Sequence, residues 1–133
     1  MKIEIEKILL DKITFEKNHN LIHSEKLQNF NVKTIGTIGI GDNFNFESGS
    51  SNIGKSIINV SSKHLEQNAF KLIIEKVIIF KILTDNPIEK ITIDDAIELI
   101  SKETFDSLVN DAETILKQAG LEDVKLKTGI NLS

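Results

Sequence analysis

The chain has 133 residues, 40% hydrophobic and 27% charged, with a net charge of −4, which is enough apolar material for the core of one domain and too much for a disordered tail. It has no Cys, so it carries no disulfide framework and no thiol nucleophile. All 16 basic residues are Lys and none is Arg, a composition that with the net acidity counts against a phosphate-tracking, nucleic-acid-binding surface.

The N-terminus alternates charge with Ile and lacks the unbroken apolar stretch of a signal peptide. Ile3, Ile5, Leu9, Ile13 and Phe15 share one parity, with mostly charged residues on the other, and this period of two predicts a long half-buried strand. Asn18 to Gln28 loses the pattern and reads as a polar loop to a second strand over Asn29 to Ile40, where Phe30, Val32, Ile38 and Ile40 share a parity. Gly36, Gly39 and Gly41 mark bulges or close backbone approach there. Gly41-Asp42-Asn43 reads as a turn, Phe44 to Phe46 as a short extended piece, and Glu47 to Asn52 as a Ser/Gly-rich connector. Gly54 to Ser62 and Ala69 to Leu83 are β-favouring runs, the second ending at Thr84-Asp85-Asn86-Pro87. Its dense part, Leu72 to Leu83, is interrupted by Glu75, Lys76 and Lys81, so it falls short of the roughly 18–20 apolar residues of a membrane helix.

After Pro87 the period changes. Thr92-Ile93-Asp94-Asp95 has capping-box spacing, with Asp in place of Glu, and opens a helical turn or two through Ile100. Phe105, Leu108, Val109, Ala112, Ile115, Leu116 and Ala119 then form one helical stripe, with Gly120 placed to be the C′ residue. The tail Leu121 to Ser133 alternates weakly at Val124, Leu126, Ile130 and Leu132 and is expected to pack back on the body. Strands first and helices last predict a single α+β domain over residues 1–133, an antiparallel meander with C-terminal helices on one face.

One motif invites chemistry. Gly49-Ser50-Ser51-Asn52-Ile53-Gly54-Lys55-Ser56 fits G-x-x-x-x-G-K-[ST], in which backbone amides cradle phosphates, Lys55 would reach the β/γ oxygens and Ser56 would hold Mg²⁺. Thr84-Asp85 can pose as the acidic metal partner. The motif needs a helix directly after it, whereas Ile57-Ile58-Asn59-Val60-Ser61-Ser62 prefers a strand, so a hairpin connector is favoured over a nucleotide site. His19 and His23 are four apart but stand in the least periodic stretch without a third ligand. His64 stands alone in a turn. Asp94, Asp95 and Glu98 complement a helix dipole better than they form an acid–base cluster. No Ser/His/Asp grouping is readable, and the chain is expected to be no enzyme and to need no cofactor.

What remains is excess apolar surface. Phe70, Leu72, Ile74, Ile78 and Phe80 fall on one parity and Ile73, Val77 and Ile79 on the other. One helical stripe covers one sheet face, which leaves the second for a partner subunit or ligand.

The element order carries a resemblance. Lys7 to Glu16 looks like the first strand of the SecB family of export chaperones, which ends in an Ile-Ser-Phe-Glu type sequence. Asn68-Ala69-Phe70 and Ile79-Phe80-Lys81-Ile82 look like its fourth strand, with Ile78 where the family has Gly. Ala112 to Leu116 through Ala119-Gly120-Leu121 is similar to its long helix, and Gly129-Ile130-Asn131-Leu132 stands where the family has Pro-Ile-Asn-Phe. The resemblance implies a four-stranded antiparallel sheet with helices on one face, assembled as a homotetrameric dimer of dimers. It further implies a cytoplasmic, ATP-independent holdase that binds unfolded polypeptide clients and inserts in no membrane. Glu16 matches an acidic residue through which family members dock the SecA motor. Lys12 replaces the usual Asp, and Lys71 and Ile73 replace Leu and Glu, which counts against motor docking and for a narrower client set. Phe44, Phe46, Phe70, Ile78 and Phe80 are the expected client contacts. The rival readings are an oligomeric regulatory protein with one dedicated partner and, behind it, a nucleotide binder using Lys55 and Ser56.

Overall fold

A computed structural model of the chain describes residues 1–18, 31–64, 67–86 and 88–121. Four strands, β1 (Lys2–Lys17), β2 (Asn31–Ile40), β3 (Ser51–His64) and β4 (Gln67–Leu83), precede one helix, α1 (Ile93–Gln118). The strands form one antiparallel sheet in the order β1-β4-β3-β2. Strands β2, β3 and β4 are the expected meander. Strand β1 departs from it, lying beside β4 at the far edge rather than beside β2, so β4 and β3 are the inner strands.

Alternation assigns the two faces. On β3, Ser56, Ile58, Val60 and Ser62 are buried, and on β4 Phe70, Leu72, Ile74, Ile78, Phe80 and Ile82 are buried; this is the face that α1 covers. The register of β1 changes twice, at Glu6 and at Asp11, each an extra residue in the ladder. Each bulge flips the parity of the residues after it. Ile3 and Ile5 lie opposite Ile82 and Phe80, Ile8 opposite Ile78, and Ile13 and Phe15 opposite Ile74 and Leu72, so all share the helix face. Leu9, expected with them, lies opposite Val77 on the outer face, and Leu10 takes a place on the helix face.

The two expected helical segments are one continuous helix of 26 residues. Thr92 is its N-cap: Asp95 N–H donates to the Thr92 hydroxyl at 3.1 Å and Thr92 N–H to the Asp95 carboxylate at 2.9 Å. These bonds hold the Asp95 carboxyl below its ordinary range. At the other end Gly120, with φ +85°, closes a Schellman motif in which Leu121 N–H reaches Leu116 O at 2.8 Å and Gly120 N–H reaches Lys117 O at 3.1 Å. Leu121 is buried beside Leu116, and Lys17 Nζ donates to Ala119 O at 3.0 Å, a cation where the helix dipole is negative.

The core beneath α1 has two clusters. Ile58, Leu72 and Ile74 meet Phe105, Leu108 and Leu116 in one; Ile78, Phe80 and Ile82 meet Ile91, Ala96 and Ile100 in the other. A polar seam separates them. Ser56 and Lys76 are cross-strand partners, the buried Ser56 and Thr104 hydroxyls are hydrogen-bonded at 3.2 Å, and Lys76 is ion-paired to Asp111. Thr104 also donates to Ile100 O at 2.7 Å, so a polar β-branched residue sits in mid-helix without an unmet donor. Among the described residues no helix is long and apolar enough to cross a membrane.

Candidate functional site

Helix α1 packs chiefly on β3 and β2 and touches β1 least. A helix is about 10–12 Å across and strands lie about 4.8 Å apart, so one helix cannot roof four strands. The uncovered strip belongs to β1: Ile8, Leu10 and Ile13, all on the helix face, are 45%, 58% and 45% exposed. Between this strip and α1 runs an open groove of ≈ 290 Å³, with Ile74 in its lining, Leu10 and Ile13 on the strand side and Asp111, Thr114 and Ile115 on the helix side. Lys76 reaches Asp111 across it, so the charges at this point are paired and the rest of the lining is mainly apolar. A channel flanked on one side by β1, the edge strand among the described residues, suits an extended polypeptide, whose backbone can pair with a strand edge and whose alternate side chains can enter a groove.

The outer face is of mixed character. Leu9 and Ile53 are 42% and 58% exposed, and Ile57, Ile73, Val77 and Ile79 are half-buried. Both bulged carboxylates reach across β4 to β3 on this face. Asp11 lies 3.1 Å from Lys55 Nζ, Glu75 lies 3.8 Å from the same nitrogen, and Ser51 Oγ donates to Glu6 at 2.9 Å. The hydrogen bond that Lys55 donates to Asp11 and the charge of that carboxylate, with a smaller contribution from Glu75, raise the ammonium above its ordinary value.

This geometry accounts for the phosphate-loop motif residue by residue. Gly49, at φ +82°, turns the loop before β3. Gly54 is buried inside β3, and a Cβ there would meet Gly39 O at 3.2 Å and Ile100 Cδ1 and Phe80 Cε1 at 3.3 Å. Lys55 and Ser56 are successive strand residues pointing to opposite faces, one into an ion pair and the other into the core. They cannot converge on one phosphate, and no helix follows them. Asn52 is buried as well, its side chain accepting from Asn45 N–H at 2.6 Å and donating to Asn45 O at 3.1 Å, so it ties the loop to the strand.

The expected client contacts separate. Phe70, Ile78 and Phe80 are at most 1% exposed beneath α1; they are core residues, a correction that stems from their parity, which faces the helix. Phe44 is half-buried against Phe80, with centroids 6.4 Å apart. Phe46 stacks edge-on against Phe44 at 4.7 Å and is itself 52% exposed. Phe44 and Phe46 lie in an irregular loop, not an extended piece. Glu16 is exposed on the outer face opposite Lys71, with Lys12 opposite Glu75 and Thr14 opposite Ile73. His19 and His23, the segment expected to be a polar loop and the residues after Leu121 lie outside the described residues. Among the described residues no three His, Asp or Glu side chains gather as a metal site requires.

The groove was hidden from period-two reasoning by the bulges. The available signal was Ile8-Leu9-Leu10, three successive apolar residues in an otherwise alternating strand. Such a run is what remains when a strand shows apolar side chains on both faces.

No family model and no curated protein matches the chain. Among solved structures it is similar to the SecB-like chaperone Rv1957 of Mycobacterium tuberculosis, solved in complex with a ChAD peptide from the HigA1 antitoxin. The TM-score is 0.65 at 10% identity, over 96% of this chain and 91% of that one. A protein of unknown function from Streptococcus agalactiae aligns over 96% of this chain and 98% of its own, at 11% identity and a TM-score of 0.47. The fold of this chain is SecB-like: α+β, a four-stranded antiparallel sheet carrying its C-terminal helix on one face.

Proposed function

We propose that this protein is an ATP-independent holdase that captures extended apolar segments of unfolded polypeptides in the groove between β1 and α1 and thereby keeps them soluble. The observation that carries the reading is the strip Ile8, Leu10 and Ile13, exposed on an otherwise helix-covered face beside an open strand edge. Apolar residues grouped at a concave site and left exposed among the described residues mark an interaction surface. The peptide bound in the Mycobacterium tuberculosis SecB-like chaperone supports a polypeptide occupant. In this reading the chain works in the cytoplasm as a homo-oligomer, a dimer of dimers, with no catalytic step. Lys71 opposite Glu16, and Lys12 farther along the same face, count against docking to the SecA motor.

The test is to mix the protein with a chemically unfolded model client without nucleotide and characterise the eluted complex by light scattering. A stable complex on an oligomer near four subunits is the expected result. Absence of a complex at micromolar concentration overturns the holdase reading. The Rv1957 complex also favours a second reading, an oligomer serving one dedicated partner. It predicts tight capture of one protein and indifference to unfolded chains in general.

A further inference from the structure

We propose that Lys55 is a positioning residue of the groove: by holding Asp11 on the outer face it fixes the second β1 bulge at that residue, so that Leu10 and not Asp11 stands opposite Lys76 on the groove side. The effect on clients rests on the polypeptide-binding reading above; the effect on the register does not.

The pairing of β1 with β4 leaves a choice at this point. Ile8 lies opposite Ile78 and Ile13 opposite Ile74, so the four residues between them meet only Val77, Lys76 and Glu75, and one must bulge. With the bulge at Asp11, Leu9 meets Val77, Leu10 meets Lys76 and Lys12 meets Glu75. Moved to Leu9 or Leu10, the bulge would leave Lys12 opposite Glu75 but bring Asp11 opposite Lys76, on the groove side. Ile8, Ile13 and Phe15 keep their places in both registers, and the core with them. Packing decides little between the two, because Leu10 is 58% exposed where it stands. The bulge at Glu6 has no such freedom. Shifting it toward the N-terminus would set Glu6, in place of the half-buried Ile5, opposite the buried Phe80, and desolvating a carboxylate there is costly.

Electrostatics tips the choice at Asp11, which has a cation available on either face. On the outer face Lys55 reaches over β4 to within 3.1 Å of it, and the same ammonium lies 3.8 Å from Glu75, the β4 residue next to the bulge. On the groove side stands Lys76, ion-paired to Asp111. An exposed ion pair contributes little to stability, but little suffices between registers that share a core. The consequence for the groove is large, since one register lines it with a leucine and the other with a carboxylate.

Cross-strand backbone NOEs in the full chain read the register directly. Wild type is expected to connect Leu10 with Lys76. In Lys55→Met the balance should shift severalfold toward a set connecting Asp11 with Lys76, while the NOEs from Ile13 to Ile74 persist and report an intact core. Lys55→Arg should keep the wild-type set. Exchanging the charges, Asp11→Lys with Lys55→Asp, should restore it, because a cation at position 11 is repelled by Lys76. An unchanged register in Lys55→Met overturns the proposal. So does loss of the Ile13–Ile74 set along with the rest, or failure of the charge exchange to restore the pattern, since Lys55 would then be a general stabiliser. Capture of an unfolded client is read separately and is expected to be severalfold weaker in Lys55→Met and normal in Lys55→Arg. If the register moves while capture does not, or if no chain captures clients, the reading of the groove as the client site fails while the NOEs still decide the role of Lys55.

Discussion

Lys55 shows how much of a motif's meaning lies in the residues around it. Its ammonium is held between Asp11 on β1 and Glu75 on β4, its Gly neighbour makes room for Ile100 and Phe80, and its Ser neighbour bonds Thr104 in the core. Each motif position therefore predicts a stability phenotype. Gly54→Ala should cost about 1–3 kcal/mol, because the new methyl presses on backbone and packed side chains alike; a urea melt measures it. The Lys55 ion pairs have a pH signature. The folded-state pKa is raised above 10.5, so their stabilisation is complete below that value and is lost as pH rises through the raised one. The difference in urea midpoint between wild type and Lys55→Met should be constant from neutral to mildly alkaline pH and vanish above it. Persistence of the difference in strong alkali would mean that packing of the lysine stem, not its charge, is what matters.

At the scale of elements, the hydrophobic periods and the β-favouring runs located all four strands and the helical segments, their order set the α+β class, and the resemblance to SecB-type chaperones supplied the four-stranded SecB-like architecture. The capping box was readable because Thr92 and Asp95 are local partners, and Gly120 because a C′ glycine answers a purely local steric demand. Thr92→Ala should remove one N-cap bond and cost about 1 kcal/mol. The cap contributes fully above the ordinary carboxylate value of 3.8 and weakens as pH falls through the lowered folded value of Asp95, so the cost of Thr92→Ala should shrink in acid. What stayed illegible was non-local. A bulge is a property of two strands, and nothing within β1 alone says that Glu6 and Asp11 lack a partner on β4. Leu9 is consequently expected on the wrong face, and Leu10, a wall of the groove, is not singled out by the period at all. The burial of Phe70, Ile78 and Phe80 was likewise a matter of which face the helix chose. The union of the two helical segments depended on Thr104 finding both Ile100 O and Ser56.

For the molecule as a whole, the decisive feature is that, among the described residues, one helix covers a four-stranded sheet incompletely and the exposed strip is apolar. If that strip exists to take up polypeptide, its residues trade little with the fold's own stability, in contrast to those a few Å away. Leu10 and Ile13 are 58% and 45% exposed, whereas Ile74 beside them is 1% exposed. The double variant Leu10→Asp/Ile13→Asp should therefore change the urea midpoint little, within about 1 kcal/mol, because exposed positions outside the packed core tolerate substitution. It should nevertheless abolish capture of an unfolded client, since two carboxylates beside Asp111 would make the groove acidic and wet. Leu72→Ala, at a fully buried core position outside the groove lining, should do the reverse, costing about 2–5 kcal/mol through the cavity it leaves while sparing capture by the fraction that remains folded. Paired melts and client-binding titrations on the two variants separate the roles. Loss of capture in both, in proportion to lost stability, would show that the groove has no function apart from the fold; loss in the first alone assigns client binding to the open strip of β1.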